Sequence, residues 1–153
     1  MEKNLFHHKT HVHVRTYEID WQGIVHNAIY LHYFEVGRIE YLNQIGAKVD
    51  INTVNFESKV VVVRNEVDYR NPARLGDAIN VYSRVSAIHN TSFVFEGMLE
   101  RDSTGEILAE NVAVHVWLDH KTNAPTLVPN EFRRHVQSFE GKDCIIHWPT
   151  ITV

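Results

Sequence analysis

A single cysteine in 153 residues, Cys144, excludes an intrachain disulfide, so packing and hydrogen bonds must hold the fold. Its surroundings, Asp143-Cys144-Ile145-Ile146, read as a short strand carrying a buried, inert thiol. Long apolar runs are also missing, and none approaches the roughly 20 residues that a membrane-spanning helix needs. The chain has no basic run or stripe and a formal net charge of -4, which argues against a general nucleic-acid role. An anionic ligand would have to be met by a few local arginines. The first residues, Met1 to His8, lack the basic start and apolar stretch of a signal peptide, and the expectation is a cytoplasmic protein. There is no internal repeat, low-complexity segment or linker. This length supports one core, so residues 1–153 are expected to form a single domain.

Histidine, by contrast, is abundant: there are 11, with His7, His8, His11 and His13 crowding the start. No HExxH is present, and only one thiol could join a metal site. His11 and His13 alternate with Val12 and Val14, as solvent-facing strand residues beside a buried valine face do. The expectation is that the chain holds no functional metal.

Alternation predicts a first strand over residues 10–19. From about Asn27 to Ile45 the apolar residues Tyr30, Leu31, Phe34, Tyr41, Leu42 and Ile45 fall at helical spacing, with Gly46 suited to a left-handed cap. Gly37 inside this helix costs roughly 1 kcal/mol relative to alanine, which suggests close approach to a sheet. The polar segment from Val49 to Glu57 reads as a short helical turn or a flap. Four strands are predicted after it, over residues 59–69, 78–89, 92–101 and 107–118. The short links between them suggest antiparallel pairing of consecutive strands. In the second of these, Ile79, Val81, Val85 and Ala87 should face the core while Asn80, Tyr82, Arg84 and Ser86 face a wetter side. A second helix is predicted from Asn130, its N-cap, to about Glu140, with Gly141 ending it. Residues 144–148 add an edge strand. This order predicts an α+β fold, a sheet wrapped on one long helix.

The stretch from Asp20 to Tyr30 carries the chemistry. Asp20 precedes a turn at Gly23, and the chain then enters the long helix, whose first N–H groups and dipole favour negative charge. One loop thus supplies a carboxylate able to activate water and a donor able to stabilise an oxyanion.

The pattern Asp-x-x-Gly-x-Val-x-Asn-x-x-Tyr over residues 20–30, followed by Tyr33-Phe34-Glu35-x-x-Arg38, resembles the start of hotdog-fold thioesterases of the 4-hydroxybenzoyl-CoA thioesterase type. Two later stretches resemble the same family: Tyr69-Arg70-Asn71-Pro72-Ala73-Arg74-Leu75-Gly76-Asp77, and Val116-Trp117-Leu118-Asp119 running to Pro125 and Pro129. Three motifs in the family's order cover roughly residues 10–140. The resemblance implies a hotdog fold with five to six antiparallel strands curved around a central helix. It also implies a homodimer with a continuous sheet, often a dimer of dimers (a homotetramer), with active sites at the dimer interface. The implied substrate is an acyl thioester on coenzyme A or acyl carrier protein, hydrolysed without a cofactor.

By the same resemblance, Asp20 matches the catalytic carboxylate, acting as general base or as nucleophile. Asn27 matches the position whose backbone N–H meets the thioester carbonyl. Gly23, Val25, His26, Tyr30 and Glu35 match positions around the substrate. Tyr30 also reads as a core aromatic, and Glu35 reads equally as an ion-pair partner of Arg38 at i+3. Arg64, Arg70 and Arg74 are candidates for the phosphates of coenzyme A, with Arg84 on a nearby strand. Two alternatives share the fold: an enoyl-thioester hydratase or dehydratase pairing Asp20 with His26, and a non-catalytic acyl-CoA binding protein.

Overall fold

The helical spacing of Tyr30, Phe34 and Tyr41 is realised as one 18-residue helix, α1 (Asn27–Gln44), in a computed structural model that describes residues 1–47 and 58–150. Gly46 takes φ +89, the left-handed conformation that glycine adopts without a Cβ clash, and ends the helix. The polar segment from Val49 to Glu57 lies outside the described residues. The strands are β1 (His8–His13), β2 (Ser58–Tyr69), β3 (Ala78–Ile88), β4 (Ser92–Arg101), β5 (Ile107–Asp119) and β6 (Ile145–Ile146), and a second helix, α2, spans Asn130–Glu140. The sheet runs β1-β3-β4-β5-β2 with every neighbouring pair antiparallel, while β6 pairs parallel with β3. α1 packs over β1, β3 and β4, so this is the α+β hotdog arrangement of a central helix against one antiparallel sheet.

Packing explains Gly37. A Cβ at that position would lie 2.5 Å from both Ser83 Oγ and Val81 Cγ1, so the helix rests on β3 with no room for a side chain. Tyr41, fully buried one turn later, donates its hydroxyl to the carboxylate of Glu140 at 2.7 Å and so ties α1 to α2. Cys144 is buried in the same core, and burial pushes its thiol up to about 12.

Four expectations fail, each for a local reason. The first strand begins at His8 and ends at His13, because Thr16–Glu18 forms a 3-10 turn. There the Glu18 carboxylate accepts the Arg15 N–H at 2.7 Å and withdraws the backbone from the sheet. β2 and β3 are not a hairpin: residues 70–77 carry the chain across the sheet end, and β2 pairs with β5 at the opposite edge. The outer side of β3 is not wet, since Asn80, Tyr82 and Arg84 are buried. The N-terminal segment covers it, with Phe6 edge-on to Tyr82 and Lys3 ion-paired to Glu100. Asn130 is the first helical residue of α2, and Pro129 takes the cap position.

His115 on β5 gives the fold an acid-sensitive point. It is 7% exposed and stacked on Phe93 at 5.2 Å, and burial, reinforced by the positive Arg38 nearby, pushes its pKa down from 6.5 to about 4. The unfolded chain therefore binds a proton at this residue that the folded chain refuses. Stability is expected to fall as pH drops from about 6.5 toward about 4, by up to about 3 kcal/mol from this group. Urea unfolding at a series of pH values checks this, and His115→Asn should flatten the profile over that window.

Candidate active site

The Asp20 loop is a closed turn. The Asp20 N–H donates to Ile24 O at 2.8 Å, the Gly23 N–H donates to Asp20 O at 3.0 Å, and Gly23 supplies φ +80, which a side chain would resist. The Asp20 carboxylate is oriented by its own backbone, Oδ1 accepting from Gln22 N–H at 2.8 Å and Ile24 N–H at 3.4 Å. A bridge from Ile19 to Val25 closes the loop on itself, and a bridge from Ile24 to Arg74, with the Val25 N–H on Ala73 O at 2.9 Å, fastens it to the crossing segment 70–77.

The chain then turns into α1 through a second set of contacts. The His26 N–H donates to Glu18 O at 2.9 Å, and the His26 Nδ1 accepts the Ala28 N–H at 3.0 Å, which makes His26 the helix N-cap. His26 O accepts the Ile29 N–H at 2.9 Å. Among the described residues the Asn27 N–H meets no acceptor, as is usual for the first donor of a helix.

These two features share one cleft of about 430 Å³, lined by Asp20, Gln22, Ile24, Val25, Asn27, Tyr30, Tyr69, Arg70, Asn71 and Pro72. Asp20 is half-buried at its wall. Tyr30 is buried, its hydroxyl accepting the Ala73 N–H at 2.9 Å, and burial raises its pKa. Of the residues singled out by sequence, Asp20, Val25, Asn27, Tyr30 and Arg70 come together here, with Gly23 forming the turn beside them. His26 is occupied as the cap.

Glu35 is exposed two turns further along α1, roughly 12 Å from Asn27 at 1.5 Å per residue, and does not line the cleft. It is not within ion-pair distance of Arg38, although its charge acts favourably on that half-buried guanidinium, whose Nη1 is buried without a hydrogen-bond partner among the described residues. Arg70 reaches the cleft but is engaged by Glu110 at 2.9 Å. Arg74 is exposed beside the Asp20 loop. Arg64 is ion-paired to Glu66 and stands five residues up β2 from Tyr69, roughly 16 Å away at the strand rise.

Sequence reasoning missed two residues. Tyr69, at the end of β2, lines the cleft and donates to Asn27 O at 2.9 Å. Glu18, 6% exposed, accepts the Tyr33 hydroxyl at 3.1 Å and braces the loop behind Asp20. Tyr69 carried one available signal, its place at the head of a recognised motif, but its partner lies 42 residues earlier in the chain.

A central helix packed on one antiparallel sheet is the fold of a family that the sequence also matches: residues 14–136 fit the thioesterase-like superfamily, and the chain belongs to it as a thioester hydrolase. Among particular proteins it is similar to the chloroplastic acyl-acyl carrier protein thioesterase ATL2 of Arabidopsis thaliana, at 32% identity over 88% of this chain and 68% of that protein. It is also similar to the long-chain acyl-CoA thioesterase FadM of Escherichia coli, at 26% identity over 84% of this chain and 96% of that one. A thioesterase of Thermus thermophilus, solved in complex with coenzyme A and Zn, superposes with a TM-score of 0.76 at 32% identity, covering 88% of this chain and 94% of its own. No helix among the described residues is long and apolar enough to cross a membrane.

Proposed function

We propose that this protein hydrolyses acyl thioesters of coenzyme A or acyl carrier protein in the cytoplasm, with Asp20 as general base or nucleophile and the Asn27 N–H as oxyanion donor. The observation that carries this reading is that Asp20 and Asn27, whose N–H meets no acceptor among the described residues, line the same cleft. As a base, Asp20 takes a proton from water, whose oxygen attacks the thioester carbonyl. The tetrahedral oxyanion is met by the Asn27 N–H and the positive end of α1, and the thiolate leaves carrying the proton from Asp20. As a nucleophile, the carboxylate attacks directly, the thiolate leaves, and water hydrolyses the mixed anhydride. Both routes end in free acid and thiol.

Val25 and Tyr30 form the apolar wall against the acyl group, Gly23 keeps the approach open, and Arg70 and Arg74 at the rim are the arginines best placed for coenzyme phosphates. The remote position of Arg64 makes it a weaker partner for the same cleft. The working unit is a homodimer, further paired as a dimer of dimers. In support, β2 is a long sheet edge with Val62 and Val63 46% and 58% exposed, a row of backbone groups and apolar side chains suited to a second copy.

Hydratase chemistry would enlist His26 as proton carrier, but its Nδ1 is committed to capping α1. Free-thiol release measured across a panel of coenzyme A and carrier-protein acyl thioesters tests the proposal. The expected result is stoichiometric thiol and acid from saturated acyl groups. Loss of enoyl absorbance without thiol release would replace it with the hydratase reading.

A further inference from the structure

Three consecutive peptide groups at the start of α1 are pinned, and each by a different part of the molecule. The peptide before His26 is held by its N–H on Glu18 O at 2.9 Å, and the peptide between His26 and Asn27 by the Ile29 N–H on His26 O at 2.9 Å. The peptide between Asn27 and Ala28 is held from both ends. Its N–H donates to His26 Nδ1 at 3.0 Å, and its carbonyl accepts the Tyr69 hydroxyl at 2.9 Å. Tyr69 is the member of this set that comes from the sheet, so its phenol ties the first turn of the helix to the end of β2. Helix first turns fray unless such ties exist, because their N–H groups lack intrahelical partners.

The phenol is itself held in place. Its ring meets Tyr30 edge-on at 5.1 Å, Tyr30 accepts the Ala73 N–H at 2.9 Å, and Ala73 O accepts the Val25 N–H at 2.9 Å. The crossing segment 70–77 therefore fixes the Asp20 loop on one side and, through two tyrosines, the Asn27 donor on the other. Distances between a carboxylate and an oxyanion donor matter at the scale of tenths of an ångström, and that precision needs supporting contacts of this kind.

We propose that Tyr69 is a positioning residue for the oxyanion donor: its hydroxyl holds the first turn of α1 so that the Asn27 N–H stays aimed into the cleft. This rests on the reading of Asn27 N–H as the donor. Its contribution belongs to the transition state, since the donor meets full negative charge only there, so kcat is the sensitive quantity.

Tyr69→Phe removes the hydroxyl and keeps the ring. Assayed by thiol release well below the unfolding temperature, it is expected to lower kcat by about 3-fold to 10-fold, the worth of one hydrogen bond, with KM within about twofold. His26→Ala should act on the same peptide, so the double variant should lose less than the product of the two single losses, and His26→Asn, which restores a cap acceptor without adding charge beside the oxyanion, should recover kcat. An unchanged kcat in Tyr69→Phe, a change confined to KM, or strictly multiplicative losses would overturn the proposal. Failure here is separable from failure of the hydrolytic reading: an inert Asp20→Asn beside a normal Tyr69→Phe removes only the positioning role, whereas an active Asp20→Asn removes the reading beneath it.

Discussion

Asp20→Asn is expected to lower kcat for thioester hydrolysis by at least about 100-fold while leaving the fold intact. The substitution keeps the side chain's volume and its carbonyl oxygen, so the hydrogen bonds that Oδ1 accepts from Gln22 and Ile24 can persist and the turn around Gly23 has no reason to open. What disappears is the negative charge and, with it, both routes to attack on the thioester: an amide neither takes a proton from water nor displaces a thiolate. The residual rate then comes from the Asn27 N–H and from binding, as oxyanion donors alone sustain some turnover in other hydrolases. Thermal unfolding should show a melting temperature close to that of the parent, and KM should change far less than kcat. Near-normal kcat in this variant would mean that another group performs the chemistry and that the shared cleft is incidental.

The parts of this site that were readable in the sequence are those within one short stretch of chain. Asp20, Gly23, Asn27 and Tyr30 are separated by turn and helix geometry that local rules specify, and the helix stops at Gly46 because only a residue without a Cβ takes that backbone comfortably. The parts that were not readable depend on pairing across long separations. Nothing in the alternation of β2 says that Val67 will face Asn111 rather than a residue of β3, and so nothing local places Tyr69 over Asn27. The same holds for the arginines. Arg64 and Arg70 are six residues apart on paper, yet the continuous extended run of β2 between them leaves one in the cleft and the other far up the strand. Glu18 was invisible for a different reason, since its alternating neighbours imitate a strand until its carboxylate bends the backbone into a 3-10 turn. Composition rules also misjudge Tyr82 and Arg84, because the segment that covers them is the chain's own N-terminus.

The second large effect lies far from the cleft, at Arg133. A charged side chain beside the apolar stripe of α2 would ordinarily face solvent, yet this one is 0% exposed. Its guanidinium donates to four backbone carbonyls: Nε to Val128 O at 3.2 Å, Nη2 to His89 O at 2.7 Å and to Asn90 O at 3.1 Å, and Nη1 to His147 O. Those carbonyls belong to the approach to α2, the turn between β3 and β4, and the chain after β6, segments that among the described residues are otherwise linked through the backbone by the short β6 ladder and isolated hydrogen bonds such as Val128 N–H to Asn90 O. Arg133 therefore acts as the fastening for the C-terminal third of the core, and burial lowers its pKa, with no acid paired to it among the described residues. Arg133→Met fills a similar volume but leaves the carbonyls without donors, at a cost of about 1–3 kcal/mol for each one that water does not reach. A total loss of roughly 3–5 kcal/mol is expected, which for a domain of this size lowers the melting temperature by roughly 6–20 °C. Arg133→Lys should recover only a small part of that, because a single ammonium cannot span a fork of carbonyls that a planar guanidinium meets at once. Since none of these segments lines the Asp20 cleft, kcat of the Met variant measured below its transition should match the parent. A melting temperature within a degree or two of the parent would show that the carbonyls find water or new partners, and that the C-terminal segment is held by its apolar contacts alone.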